Sequence, residues 1–161
     1  IDVSPIPLIE RAIIRFAGTD TDGLTILFPD EGAASRYVIP DSIGNNAGSM
    51  SIQKLNCTKK RDAETGKLLG FNVPEPKQFA YSEALIVDDI CDGGGTFIGI
   101  ADALGGCVSL GLYVTHGIFS RGFDDLRKGY SRIYTTDSLG KTWPHEDVMT
   151  FQCGLAISGV G

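Results

Sequence analysis

The chain has 161 residues, of which 42% are hydrophobic and 21% charged, and its formal net charge is −6. These values fit one folded domain with a real core, exclude generic disorder, and leave no room for two full domains. The acidic balance excludes a nucleic-acid binder that works by bulk electrostatics, although local cations and backbone N–H groups can still hold a phosphate. Apolar runs such as Ala84-Leu85-Ile86-Val87 are far too short for a bilayer, so no membrane partner is expected. No basic segment followed by an apolar stretch opens the chain, so no secretory leader is expected either. Cys57, Cys91, Cys107 and Cys153 show no C-x-x-C spacing; a zinc site is not expected, and a reduced, cytoplasmic protein is the default.

The first residue is Ile1 rather than Met, and Ser4-Pro5-Ile6-Pro7 reads as an extended entry into a helix, so a further segment upstream is expected. Leu8, Ile9, Ala12, Ile13 and Phe16 recur at helical spacing opposite Glu10, Arg11 and Arg15, which predicts a helix over 7–16 with Pro7 in its first turn. A turn is expected at 20–23, a buried strand at 24–28, and a helix over 33–38. The stretch 41–49 reads as loop and 50–55 as a strand. Polar residues 59–71, with Glu64-Thr65-Gly66-Lys67 as a turn signal, read as an exposed hairpin. After a loop over 75–82 come a strand at 84–87, a helix at 96–104 stopped by Gly105, and a strand at 108–115. A short helix at 123–128 and strands at 132–135 and 148–153 complete the pattern. Alternating strands and helices predict an α/β fold with a mostly parallel central sheet flanked by helices.

Most of the chemistry lies in Leu85-Ile86-Val87-Asp88-Asp89-Ile90-Cys91-Asp92-Gly93-Gly94-Gly95-Thr96. A buried strand here delivers adjacent carboxylates to its C-terminal end, and a glycine-rich turn leads into a helix N-terminus. Ligands of open α/β sheets bind at that edge. Backbone N–H groups of residues 93–96 and the helix dipole favour a phosphate, and the Thr96 hydroxyl adds a donor. Asp88 and Asp89 are hard oxygen ligands suited to a sugar diol, a hydrated Mg2+, or both. A phosphate a few ångströms from a diol binder describes a ribose 5-phosphate. Neither G-x-G-x-x-G nor G-x-x-x-x-G-K-[ST] occurs at this junction, which excludes the dinucleotide fingerprint and the Walker-type loop.

This segment resembles the ribose-phosphate signature of the type I phosphoribosyltransferases and of their relatives, the ribose-phosphate pyrophosphokinases, which make phosphoribosyl diphosphate (PRPP). Further matches favour the second branch. Pro29-Asp30-Glu31-Gly32-Ala33-Ala34-Ser35-Arg36 is similar to its Pro-Asp-x-Gly-x-x-x-Arg diphosphate loop, and Thr115-His116-Gly117-Ile118-Phe119-Ser120 to its Thr-His-x-x-Phe-Ser run. Thr136-Asp137-Ser138 resembles its Thr-Asp-(Ser/Thr) element, and Ser4-Pro5-Ile6-Pro7-Leu8 the start of its C-terminal domain. Lys59-Lys60-Arg61 falls where that family carries a Lys-Arg-Arg run on a flexible loop. The departures are Gly93, where the family usually has Thr, the insert 62–67, and coverage of only the second of two related halves.

The resemblance implies a type I phosphoribosyltransferase fold with a flexible β-hairpin, one domain over 1–161 that is the C-terminal half of a longer protein. It implies transfer of a diphosphoryl group from MgATP to the C1 hydroxyl of ribose 5-phosphate, giving PRPP and AMP. Lys59 and Arg61 would then be catalytic cations; Asp88, Asp89, Asp92, Gly93, Gly94, Gly95 and Thr96 would hold ribose 5-phosphate. Asp30, Gly32 and Arg36 would line the diphosphate site, and Asp30, Asp88 and Asp89 would meet the cofactor Mg2+. Implied partners are ribose 5-phosphate or PRPP, ATP, and further copies of the chain at full length. A base-specific phosphoribosyltransferase and a non-catalytic regulatory module are the alternatives. His116, Cys91 and Trp143 read as structural, hydrogen-bonded or packed groups, and His145 as a surface loop residue.

Overall fold

The computed structural model describes residues 4–18, 22–45 and 48–153. Helix α1 (Ile6–Ala17) starts with proline in its first turn and buries Leu8, Ile9, Ala12 and Ile13. Strand β1 (Gly23–Phe28) is buried throughout, and α2 (Glu31–Arg36) follows. Then come β2 (Ser42–Asn45), β3 (Gly48–Asn56), β4 (Thr58–Arg61), β5 (Leu68–Asn72) and β6 (Glu83–Cys91). Helix α3 (Gly95–Leu104), β7 (Ser109–Gly117), α4 (Asp124–Arg127), β8 (Arg132–Thr136) and β9 (Val148–Phe151) complete the order.

Seven strands form one sheet in the order β2-β3-β1-β6-β7-β8-β9. All neighbours pair in parallel except β2, an edge strand antiparallel to β3. Successive residues of β6 point to opposite layers. Leu85 and Val87 join Leu8, Ile9, Ile13 and Ile26 beneath α1, whereas Ala84 and Ile86 join Phe97, Ile100 and Val114 beneath α3. A strand covered on both faces reads as a continuous apolar run rather than an alternating one. The α/β, mostly parallel fold expected from the sequence is therefore the observed one. The order of strands reverses between β1 and β6, and the crevice outside the carboxyl ends of strands at such a point is where open sheets bind ligands.

The loop expected over 41–49 is corrected. Residues 42–45 form β2, pairing Ser42 with Ser51 and Ile43 with Met50. Only Ile43 of that segment is apolar and buried, so the ladder defines the strand and no hydrophobic pattern announces it. The turn expected at 20–23 lies partly outside the described residues. Strand β6 does not stop at Val87: its ladder with β7 continues through Asp88↔Val114 to Cys91↔Gly117, so the carboxylates stand on the strand itself. The helix expected over 33–38 starts earlier, because the Asp30 carboxylate accepts the Ala33 N–H at 3.0 Å and caps it. The hairpin expected over 59–71 is present: β4 and β5 pair as a separate antiparallel ribbon, Lys59 opposite Phe71.

Candidate functional site

The chain leaves the carboxyl edge of the parallel strands through four neighbouring connections. Strand β1 runs into the capped start of α2, β3 into the β4–β5 ribbon, β6 into the glycine turn before α3, and β7 into a tight turn at 118–122. Register holds them together: Phe28 at the end of β1 lies opposite Asn56 of β3, and Asp88 of β6 opposite Val114 of β7. The ribbon docks on α3, where Phe71 packs so close to Gly99 that an added Cβ would meet its ring at 2.9 Å.

Lys59 and Asp30 meet from two of these connections. The Lys59 Nζ donates to Asp30 Oδ2 at 2.6 Å while Asp30 Oδ1 holds the α2 cap. The Lys59 hydrogen bond and the Ala33 N–H together hold the Asp30 carboxyl below its ordinary range. A cleft of about 360 Å³ lies here, lined by Asp30, Glu31, Gly32, Cys57, Thr58 and Lys59.

Arg36, at the last turn of α2, reaches the carboxylate pair on β6. Its Nη1 lies 3.0 Å from Asp89 Oδ2 and 3.4 Å from Asp88 Oδ1. Asp88 is the more enclosed of the two, its side chain 18% exposed against 39% for Asp89. Burial pushes the Asp88 carboxyl up to about 6, with the Asp89 charge acting the same way and the Asp89 N–H, at 2.9 Å, opposing them. Two adjacent carboxylates, one of them raised, form a site that gains from an added cation.

The glycine turn then makes an anion cradle. Gly94 precedes α3 with φ +76°, a left-handed conformation that favours glycine, and no side chain caps the helix. The first N–H groups of an α-helix have no intrahelical acceptor, so those of Gly95 and Thr96 face outward from the helix start. Cys91 beneath the turn is a packed thiol, its pKa pushed up to about 12 by burial.

Most of the residues singled out in the sequence therefore converge on one edge: Asp30, Gly32, Arg36, Lys59, Asp88, Asp89 and the 92–96 turn. Arg61 does not join them, since its guanidinium donates to Gly66 O at 3.1 Å within its own ribbon. Asp30 is not gathered with Asp88 and Asp89 into a ready cage; among the described residues no three His, Cys, Asp or Glu side chains converge as metal ligands. His116 bonds through Nδ1 to Ser138 Oγ at 2.7 Å, and Trp143 packs edge-on against Phe119 and Phe123. The sequence reading missed Arg121, whose side chain lies against Gly93. No spacing signal marks it, because the contact depends on how the β7 turn folds back onto the glycine turn.

The fold and its carboxyl-edge crevice define an open, mostly parallel α/β domain. No protein-family model matches the chain. The chain is 31% identical over 155 residues to ribose-phosphate pyrophosphokinase 3, chloroplastic, of Arabidopsis thaliana, covering 86% of this chain and 33% of that protein. It is 32% identical over 103 residues to the ribose-phosphate pyrophosphokinase of Mycoplasmopsis pulmonis, covering 62% of this chain and 30% of that one. In structure it resembles the phosphoribosylpyrophosphate synthetase of Mycobacterium smegmatis, with a TM-score of 0.60 at 18% identity over 96% of this chain and 49% of that chain. The chain is similar in sequence to ribose-phosphate pyrophosphokinases and spans about a third of the length of the curated relatives it matches. Among the described residues no helix is long and apolar enough to cross a membrane.

Proposed function

We propose that the chain is the C-terminal catalytic part of a ribose-phosphate diphosphokinase, which transfers a diphosphoryl group from ATP to the C1 hydroxyl of ribose 5-phosphate. The observation that carries this reading is the Asp88–Asp89 pair standing beside an uncapped helix start at the strand-order reversal. In that reading the ribose hydroxyls bind Asp88 and Asp89, and the 5-phosphate lies on the 92–96 turn. The diphosphoryl group lies in the cleft between Asp30, Gly32 and Lys59, with Arg36 at its border. The C1 oxygen forms its bond to the β-phosphorus as the bond from that phosphorus to the α-phosphate oxygen breaks; AMP leaves and the hydroxyl proton is released. Lys59 stabilises the negative charge of the transferred group, and positioning does most of the rest.

The donor set fits Mg2+, which binds through one or two carboxylates plus substrate phosphates and keeps several waters. Asp88 and Asp89 would hold it, and the ion would neutralise phosphate charge. Arg36, which bonds these carboxylates here, would then be free to hold phosphate oxygens.

Calorimetric titration with ribose 5-phosphate, with and without Mg2+, tests the site on this chain. Binding is expected in the wild type and lost in Asp88→Ala/Asp89→Ala. A folded wild type that does not bind, or a double variant that binds equally well, overturns the assignment. The activity itself is read as AMP released from ATP only when ribose 5-phosphate is present, on the chain joined to an N-terminal portion. PRPP consumption with a base would instead show a phosphoribosyltransferase.

A further inference from the structure

We infer that Arg121 is a phosphate-binding residue of this site, its guanidinium closing on the 5-phosphate over Gly93. The inference rests on the reading of the 92–96 turn given above and adds to it the cation that the turn itself lacks.

The turn offers neutral donors only. Its one charged side chain, Asp92, is negative, and Asp88 and Asp89 stand a few residues upstream. A phosphate dianion placed there meets a helix start but also three carboxylates. The other cations of the edge are already engaged, Lys59 with Asp30 and Arg36 with Asp88 and Asp89. Arg121 is not: among the described residues its guanidinium makes no hydrogen bond and no ion pair. Asp125, the acidic group whose charge it feels, is paired with Lys128 at 2.6 Å.

Its placement is built into the backbone. The N–H groups of Ile118 and Phe119 both donate to Cys91 O, at 2.9 and 3.1 Å, and Ser120 N–H donates to Asp92 O at 3.2 Å. The turn that carries Arg121 is thus bonded directly to the turn that cradles the phosphate. Phe119 adopts φ +47°, the one positive φ outside glycine among the described residues. Its ring is locked 4.7 Å from Phe123 and 5.6 Å from Trp143. Such strain persists where surrounding packing over-determines it, and it clusters at ligand clamps.

Gly93 completes the geometry. Its φ is not positive, so the backbone does not require glycine there. It marks how closely Arg121 lies over the turn: a Cβ at Gly93 would sit in ordinary contact, 3.6 Å from Arg121 Nε and 3.7 Å from its Cδ. A planar guanidinium over a bare backbone turn presents paired N–H groups to phosphate oxygens, which a lysine cannot match.

The test is calorimetric titration of ribose 5-phosphate into the wild-type chain, Arg121→Ala, Arg121→Lys and Asp88→Ala/Asp89→Ala. Arg121→Ala is expected to bind about ten- to hundredfold more weakly, the loss typical of a charge-assisted hydrogen bond. Arg121→Lys is expected to fall between it and the wild type. Thermal unfolding of Arg121→Ala is expected to match the wild type, since the side chain has no partner to lose. If the wild type binds and the double aspartate variant does not, but Arg121→Ala binds within about twofold of wild type, the role of Arg121 is overturned and the site assignment stands. If the folded wild-type chain does not bind ribose 5-phosphate, both fall together.

Discussion

Replacing Asp88 with Asn is expected to make the protein more stable at neutral pH while removing its binding of ribose 5-phosphate. Asp88 is enclosed beside Asp89, and its carboxyl is raised from 3.8 to about 6. A folded-state pKa above the unfolded one means that the ionised form is the one folding disfavours. Above pH 6 the full penalty applies; as pH falls from 6 toward 3.8 the folded protein takes up a proton that the unfolded chain does not, and the penalty is relieved. At about 1.4 kcal/mol per pKa unit the penalty is roughly 3 kcal/mol at pH 7, an upper bound because Asp89 shares the titration. Asparagine keeps the acceptor for the Asp89 N–H. It gives up the 3.4 Å contact with Arg36, a half-exposed ion pair worth about 0–1 kcal/mol. The net expectation is a gain of about 1–3 kcal/mol, measured by urea unfolding near pH 7. The gain should shrink by more than half by about pH 4.5, where the wild-type carboxyl is protonated in the folded state. A variant less stable than wild type at neutral pH, or a gain that does not change with pH, would refute the assignment of burial as the dominant influence on Asp88.

Lys59→Ala should lower AMP release by the chain joined to an N-terminal portion by on the order of a hundredfold, while Arg61→Ala, whose guanidinium bonds its own turn at 3.1 Å, should lower it less. Equal losses in steady-state rates would show that the ribbon rearranges to bring both in. Asp30→Ala removes the α2 cap and should cost about 1 kcal/mol, whereas Asp30→Asn, which can still cap, should cost less; thermal unfolding separates the two. Gly99→Ala places a Cβ 2.9 Å from the Phe71 ring and should undock the β4–β5 ribbon, read as faster tryptic cleavage at 59–61 and 67. An unchanged cleavage rate would place the docking elsewhere.

What was readable in the sequence follows from the range of each interaction. Helices α1 and α3 are amphipathic or glycine-stopped segments whose cause lies within a few residues, and the carboxylate–glycine motif is contiguous, so both could be read directly. Strand β2 could not, because its existence depends on pairing with β3 rather than on its own pattern. Nor could the contacts that organise the site. Arg36 and Asp88 are 52 positions apart and Lys59 and Asp30 are 29 apart, and only the parallel sheet brings them side by side. Arg61 shows the converse. The resemblance implied a catalytic cation there, and alternation alone would put it on the same face as Lys59, but the register shifts between Lys60 and Arg61 and its guanidinium donates to Gly66 O within its own ribbon.

Those long-range pairs bear on how the site would work. Each engaged cation at the edge rests on a carboxylate, Lys59 on Asp30 and Arg36 on Asp88 and Asp89. In the proposed reading a polyphosphate with its divalent cation would exchange like for like: Asp88 and Asp89 would hold the cation, Lys59 and Arg36 would hold phosphate oxygens, and each charge would keep a partner. The helix start and Arg121 carry none of these ion pairs, so in the same reading the sugar phosphate would anchor there first and the polyphosphate–metal pair would displace the internal ion pairs afterwards.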